Sequence, residues 1–249
     1  MIEIRPLTER EDLKTIVRLQ RQIWGFEDVD LVPLRLFVVA SKIGGQVYGA
    51  FDRSSADASR MIGFCMSIPG LKPGGKIYLH SHMLGVLEEY RNSGVGRTLK
   101  LIQRDDALGR GIDLIEWTFD PLELKNAFFN IERLGAVVRR YVHNQYGATS
   151  SPLHGGLPTD RCIAEWWISS RRVKSIVAGQ SFARPPVEDR VSFPFDIAAI
   201  RANEPTRARD IQQKASEHFC AAFDQGLAVI GFEKSQQSGA YLLGKWESF

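Results

Sequence analysis

Residues 77–111 constrain the fold more than any other part of the chain. Ile77 to Val86 has the make-up of a strand, and the segment EEYRNSGVGRTLKLIQRDDALGRG that follows repeats Val95, Leu99 and Ile102 at helical spacing before Gly109 and Gly111 stop the pattern. A strand, a glycine-bearing turn and a helix in immediate succession belong to α/β architectures. The flanking segments extend the same alternation. Ile2 to Leu7 reads as a short strand, and Thr8-Glu9-Arg10-Glu11 has the T-x-x-E form of a capping box that opens a helix through Trp24, closed near Gly25. A second helix is expected over Leu31 to Ser41, then strands at Gln46 to Asp52 and Met61 to Ile68 around a polar loop, DRSSADASR.

Beyond Gly111 the pattern predicts a buried strand at Ile112 to Phe119, a helix from Asn126 to Leu134 closed by Gly135, and strands at Ala136 to Val142 and Arg161 to Ser169. The order is β-α-α-β-β-β-α-β-α-β-β, so the class is α/β with a mixed sheet. The basic Arg171-Arg172-Val173-Lys174 and the polar GQSFARPPVEDR read as a connection to a β-α-β-β extension. Its pieces are a strand at Val191 to Ile200, a helix marked by Ala208, Ile211, Ala215, Phe219 and Phe223, and a hairpin around SQQSG. The expected division is a core at 1–170 and an extension at 171–249, too small to fold alone, which either extends the main sheet or forms an interface such as that of a homodimer.

Composition narrows the function classes. With 44% apolar and 24% charged residues among 249, the chain is globular, and neither disorder nor a coiled coil has support. A net charge of +3 with no run of five like charges gives no electrostatic help to nucleic-acid binding, and none is expected. Cys65, Cys162 and Cys220 show neither metal spacing nor a disulfide framework, so reduced thiols and no metal are expected. No apolar run spans a membrane and MIEIRPLTERED is no signal peptide, which together suggest the cytoplasm.

The chemistry-bearing segment is Arg91-Asn92-Ser93-Gly94-Val95-Gly96, between the strand and the helix. Glycines let the backbone approach a ligand, and the first N–H groups of a helix, with its dipole, suit a phosphate. Two rival glycine motifs fail. Leu99 stands where a dinucleotide fingerprint needs a small residue, and the G-x-x-x-x-G-K of Gly70 to Lys76 is followed by Ile77 and leads into a strand, so it reads as a plain turn.

The run Met83-Leu84-Gly85-Val86-Leu87-Glu88-Glu89-Tyr90-Arg91-Asn92-Ser93-Gly94-Val95-Gly96-Arg97-Thr98-Leu99 resembles motif A of the GCN5-related N-acetyltransferase (GNAT) superfamily. The resemblance spans about residues 1–170, and the phrases YLHSHMLGV, WTFDPL, LPTDR and AEWW resemble a bacterial branch of predicted acetyltransferases with a C-terminal extension. It implies acetyl-CoA or another acyl-CoA as co-substrate and transfer to the amine of a small molecule, an amino acid among them. Related branches use succinyl-CoA, so an amino-acid N-succinyltransferase is the alternative, with a non-catalytic acyl-CoA sensor and a protein-lysine acetyltransferase as rivals. The resemblance implies that backbone groups around Leu84 and Val86 pair with the pantetheine arm where two parallel strands splay apart. It likewise implies that Arg91, Asn92, Ser93, Gly94, Val95, Gly96, Arg97 and Thr98 hold the pyrophosphate, and that Asn126 adds a contact to the arm.

Direct transfer needs a base for the ammonium, a donor for the tetrahedral oxyanion and an acid for the leaving thiolate. The family's tyrosine acid, four residues before the closing glycine, is replaced here by Ile131 beside Asn130. Tyr141 or Tyr146 can take its place, or the thiolate leaves unaided. His82 is the leading base, since imidazole titrates near neutrality, and strand alternation groups His80, His82 and Leu84 on one face against Ser81 and Met83. The plainer reading is a hydrogen-bonded, partly buried histidine. Glu116 is the second candidate base, against a structural ion pair. Asp120 either binds the substrate ammonium or orders its turn, and Asp160-Arg161 either binds a substrate carboxylate or makes a local salt bridge. Of Trp166 and Trp167, one is expected in the core, and Cys65 reads as a small core residue.

Overall fold

The computed structural model describes residues 2–54, 60–147 and 155–246, so the polar 52–60 loop lies partly outside the described residues. The chain divides into two compact units, with the change at Ile115/Glu116.

In the first unit the order is β1 (Ile2–Pro6), α1 (Arg10–Trp24), α2 (Leu34–Lys42), β2 (Gln46–Asp52), β3 (Met61–Leu71), β4 (Ile77–Val86) and α3 (Val95–Gly109). Helix α1 starts without the expected capping box: Glu9 is its N-cap, with no side-chain cap bond. Its C-terminus ends as read, on Gly25 in the left-handed region at φ 66°. The four strands form an antiparallel array in the order β1-β2-β3-β4. Every residue of β3 from Met61 to Ser67 is buried, so both faces of this strand are covered. The Gly70–Lys76 segment makes a β3–β4 turn, with Gly74 and Gly75 at positive φ and Lys72 N–H donating to Lys76 O at 2.8 Å.

The β3–β4 register shifts between Met66, opposite Met83, and Ile68, opposite His80. One extra residue of β4 is thus inserted at Ser81–His82, a β-bulge. It changes the phase of the strand: Ser81 meets α3 through Lys100 and Gln103, and a Cβ on Gly96 of α3 would meet Leu84 and Val86. Gly85 instead faces α1, where a Cβ would come within 2.8 Å of Ile23 and Trp24. The expected separation of Leu84 from Ser81 is therefore corrected, because strict alternation does not survive a bulge.

The second unit takes up β5 (Leu114–Phe119) from Glu116. It continues with α4 (Leu124–Phe128) running into a π-turn at Phe129–Arg133, β6 (Val137–Val142), β7 (Arg161–Trp167), α5 (Arg171–Val177), β8 (Asp189–Pro194), α6 (Ile197–Asn203), α7 (Pro205–Asp224), β9 (Leu227–Lys234) and β10 (Ser238–Lys245). The strand order is β5-β7-β6-β9-β10-β8. Two expectations for this unit are corrected. Residues 171–177 are a helix, not a connection, because Ser170 caps them by accepting from Val173 N–H. The strand expected over Val191 to Ile200 stops at Pro194, and Ile197–Asn203 is helical. Helix α7 opens with Pro205, where the missing N–H is no loss.

Trp166 is fully buried, donates from Nε1 to Leu134 O at 2.6 Å and meets Trp117 edge-on at 5.9 Å, while Trp167 is half-buried. Tyr241, also fully buried, donates to Pro121 O at 2.7 Å and anchors a ring cluster with Phe193, Phe219 and Phe232.

Candidate functional site

In the first unit, β4 ends at Val86 and a short 3-10 turn at Glu88–Tyr90 leads into the loop before α3. Asn92 and Gly94 both have positive φ, 63° and 92°, on either side of Ser93. Left-handed residues alternating with others turn successive N–H groups toward one side, the arrangement of an anion nest. Gly94 is the N-cap of α3 and no side chain caps the helix, so the first-turn N–H groups of Val95 and Gly96 have no intrahelical acceptor.

The side chains around the loop hold it instead of filling it. Arg91 donates to Val86 O and Ile23 O, each at 3.4 Å, and Ser93 Oγ donates to Tyr90 O at 2.6 Å. Thr98 returns both its N–H (3.0 Å) and its hydroxyl (3.1 Å) to Gly94 O. Asn92, Ser93 and Gly94 are exposed. Gly94 has open space where a Cβ would go, so its requirement is the positive φ; at Gly96 a Cβ would touch Leu84 only at 3.6 Å.

On β4, His80 is half-buried and His82 exposed, with ring centroids 5.9 Å apart. Burial, with the charges of His82, Lys100 and Lys72, pulls His80 down to about 4. The surrounding protein also lowers His82, by desolvation, although its ring remains reachable by solvent. Both are therefore neutral imidazoles near pH 7, able to accept a proton.

Beneath the strand lies a buried polar chain that the sequence reading missed. Lys100 Nζ donates to Ser81 Oγ at 2.7 Å, and Ser81 donates to Gln103 Oε1 at 3.1 Å. Gln46 Nε2 bonds Gln103 O (2.8 Å) and Asp106 Oδ2 (2.6 Å), and Ser67 Oγ donates to Gln46 Oε1 at 2.8 Å. Desolvation lowers the Lys100 pKa to about 7, and burial raises the Cys65 thiol to about 12. Cys65 is fully buried, as a core residue. Lys100 and Gln103 fall at helical spacing with Gly96 and Ala107, a face the sequence marks as inward.

In the second unit every acidic candidate is engaged. Glu116, buried on β5, pairs with Arg140. Arg140 also reaches Glu165 Oε1 at 3.3 Å, and Arg139 binds Glu165 Oε2 at 2.5 Å. Consecutive residues reach one carboxylate because β6 bulges there, the register shifting between Val138 and Tyr141. Asp120 holds Arg201 at 2.9 Å, an arginine that also binds Glu123, and burial raises the Asp120 carboxyl. Asp120 also orders its own turn by accepting from Leu122 N–H at 2.8 Å.

Tyr141 donates to Asp160 Oδ2 at 2.8 Å, and burial, then the Asp160 charge, raises its pKa. Tyr146 shares a 2.8 Å hydrogen bond with Thr118, and the Arg161 guanidinium lies 5.3 Å from the Tyr146 ring centroid and donates to Asp160 O at 2.8 Å. Asn126 is exposed on α4. Among the described residues no cluster of three metal-ligating side chains occurs, and no helix is long and apolar enough to cross a membrane.

An antiparallel array whose last strand carries a phase break and runs into an uncapped helix behind a nest defines an α/β unit with a backbone site suited to an anion. The fold is that of the GNAT acetyltransferases. NAA60 of Arabidopsis thaliana, in complex with a bisubstrate analogue, is 18% identical with a TM-score of 0.56, over 67% of this chain and 98% of that one. The same protein with acetyl-CoA gives 0.55, over 67% and 99%. The ribosomal-protein-S18-alanine N-acetyltransferase of Escherichia coli is 17% identical with a TM-score of 0.51, over 68% and 96%. No protein-family profile matches the sequence, and no curated protein matches it.

Proposed function

We propose that the chain is an acyl-CoA-dependent N-acyltransferase of the cytoplasm, moving an acetyl group directly from CoA to the amine of a small molecule. The observation that carries this reading is the Asn92–Gly96 nest at the uncapped start of α3, whose N–H groups suit a pyrophosphate. Leu84 and Val86, beside Gly96, are the proposed backbone partners of the pantetheine arm. An N–H of the Met83–Val86 segment is the proposed oxyanion donor. His82 is the proposed base: exposed and neutral, it accepts the proton that an ammonium must lose before its nitrogen attacks the thioester. Glu116 and Tyr141 are less suited, because Arg140 and Asp160 already engage their polar atoms. The core at 1–170 and the extension at 171–249 remain the proposed division of labour.

The test is thiol release from acetyl-CoA and from succinyl-CoA, separately, against amino acids, polyamines and a peptide with a free N-terminus and lysines. Turnover with a small amine supports the proposal, and turnover with succinyl-CoA alone makes the chain a succinyltransferase. Peptide-only turnover reassigns the acceptor, and tight CoA binding without any turnover leaves the sensor reading.

A further inference from the structure

Two side chains of the second unit that the proposed transfer does not use face each other: Cys220 of α7 and His143, which follows β6. Cys220 Sγ lies 3.7 Å from His143 Nε2. The other ring nitrogen, Nδ1, lies 3.8 Å from Oδ2 of Asp160, a carboxylate only 4% exposed. Asp160 is fixed in turn, accepting from Tyr141 Oη at 2.8 Å and from Asn144 N–H at 2.9 Å. The Tyr141 ring stands edge-on to His143 and stacks on Phe219, the neighbour of Cys220, at 5.2 and 5.7 Å. A thiol, an imidazole within reach of it and a carboxylate beside the far nitrogen lie in the order of groups that activates a nucleophile.

Access separates this thiol from the other two. Cys65 and Cys162 are fully buried, whereas Cys220 is half-buried and His143 is open to solvent. We propose that Cys220 is a nucleophilic site, with His143 as its base and Asp160 as the orienting carboxylate, that forms mixed disulfides with low-molecular-weight disulfides. In the step, the thiol proton passes to His143 Nε2 as Cys220 sulfur attacks one sulfur of the disulfide. The new S–S bond forms as the old one breaks, and the departing thiolate takes the proton back from the imidazolium. Exchange at sulfur forms no oxyanion, so it asks of the site only a thiol, a base and access.

The charged and titratable neighbours set the resting state. Burial, then Asp224 four residues on in α7, then Asp160 raise the Cys220 pKa. Cys162 of β7 and Tyr141 of β6 face the same cluster, and Asp189 of β8 is taken up by His218 of α7 at 2.7 Å. Cys220 therefore rests as the thiol, and exchange near neutral pH depends on His143 removing the proton during attack.

The test uses the full chain and an aromatic disulfide whose released thiolate absorbs visible light, with oxidised glutathione as the second probe. One thiol per chain is expected to react rapidly in the folded protein, and all three in denaturant. Cys220→Ser removes the rapid phase. His143→Ala slows it about tenfold or more near pH 7 and moves the rise in rate to higher pH. Mass spectrometry locates the glutathione adduct on the peptide holding Cys220. A rapid phase that survives Cys220→Ser, or a wild-type rate and pH profile in His143→Ala, overturns the proposal. Because His143 is exposed, its variant folds, and the second arm holds even if Cys220→Ser is unstable.

Discussion

Replacing Lys100 by Met should stabilise the protein, and by an amount that depends on pH in a defined direction. Burial lowers the ammonium pKa from 10.5 to about 7. Between those values the unfolded chain binds a proton that the folded chain does not, so stability contributed through this group rises with pH across the window. The penalty is complete below about pH 7 and is released as the pH approaches 10.5. The gap corresponds to about 4 kcal/mol at neutral pH. Methionine has a similar length and no charge, so Lys100→Met removes that penalty, less about 1 kcal/mol for the donor that Ser81 loses. Ser81 keeps its 3.1 Å bond to Gln103. The assay is urea denaturation of parent and variant at intervals from about pH 6 to 10, followed by circular dichroism. The Cys65 thiol, held at about 12 when folded, adds a pH dependence of its own, but it is common to both proteins and largely cancels in the difference. An advantage of Met that is largest at the acid end and vanishes toward pH 10 is expected. A difference that is the same at every pH would refute the argument, because it would mean that the amine titrates alike in the folded and unfolded chains.

Gly96→Ala should leave folding intact, since the added Cβ meets Leu84 at an ordinary 3.6 Å, yet weaken CoA binding measured by calorimetry at least tenfold if the loop grips a pyrophosphate. Gly94→Ala should in addition cost about 1 kcal/mol of stability, from a side chain forced to φ 92°; unchanged CoA affinity in both variants would remove the loop from the site. His82→Gln is expected to lower kcat about a hundredfold with little change in KM for acyl-CoA. It should also erase the acidic limb of the kcat/KM profile, which the lowered pKa of His82 puts below about 6.5, and a profile left intact would move the base elsewhere. Arg201→Met strands the buried Asp120 without its cation and should destabilise by about 3 kcal/mol in urea melts. The loss should shrink on acidification, as Asp120, already raised by burial, takes up a proton; a loss independent of pH would point to packing alone.

The element order was legible because strands and helices write different periods into a sequence, and Ile77–Val86 followed by Val95–Gly109 needed nothing further. The nest was legible for a similar reason, since Asn and Gly are the residues that tolerate positive φ. Phase breaks are another matter. A bulge adds one residue to one partner of a strand pair, and neither Ser81–His82 nor Arg139–Arg140 carries a mark of it, so the faces of β4 were misassigned and the double grip on Glu165 was not foreseen. Helix α5 was missed although Ser170 signals it, because the basic residues after the cap outweighed it in the reading. The pairing of Arg201 with Asp120 and that of Cys220 with His143 join residues far apart in sequence, and only the folded chain brings them together.

The bulge in β4 also makes the strand behave like two gears on one shaft. Residues before the break present odd-numbered side chains to α3 at Ser81, and residues after it present even-numbered ones at Leu84 and Val86. Removing a single residue at the break would restore a regular pleat and turn everything downstream by half a period. Leu84 and Val86 would rotate off α3, and a side chain would be driven toward the Ile23–Trp24 surface that now accepts only Gly85. Substitution can vary this strand one position at a time, but its length between Ser81 and Met83 is fixed, so homologous chains that keep α3 seated should differ here in residue type and not by insertion or deletion.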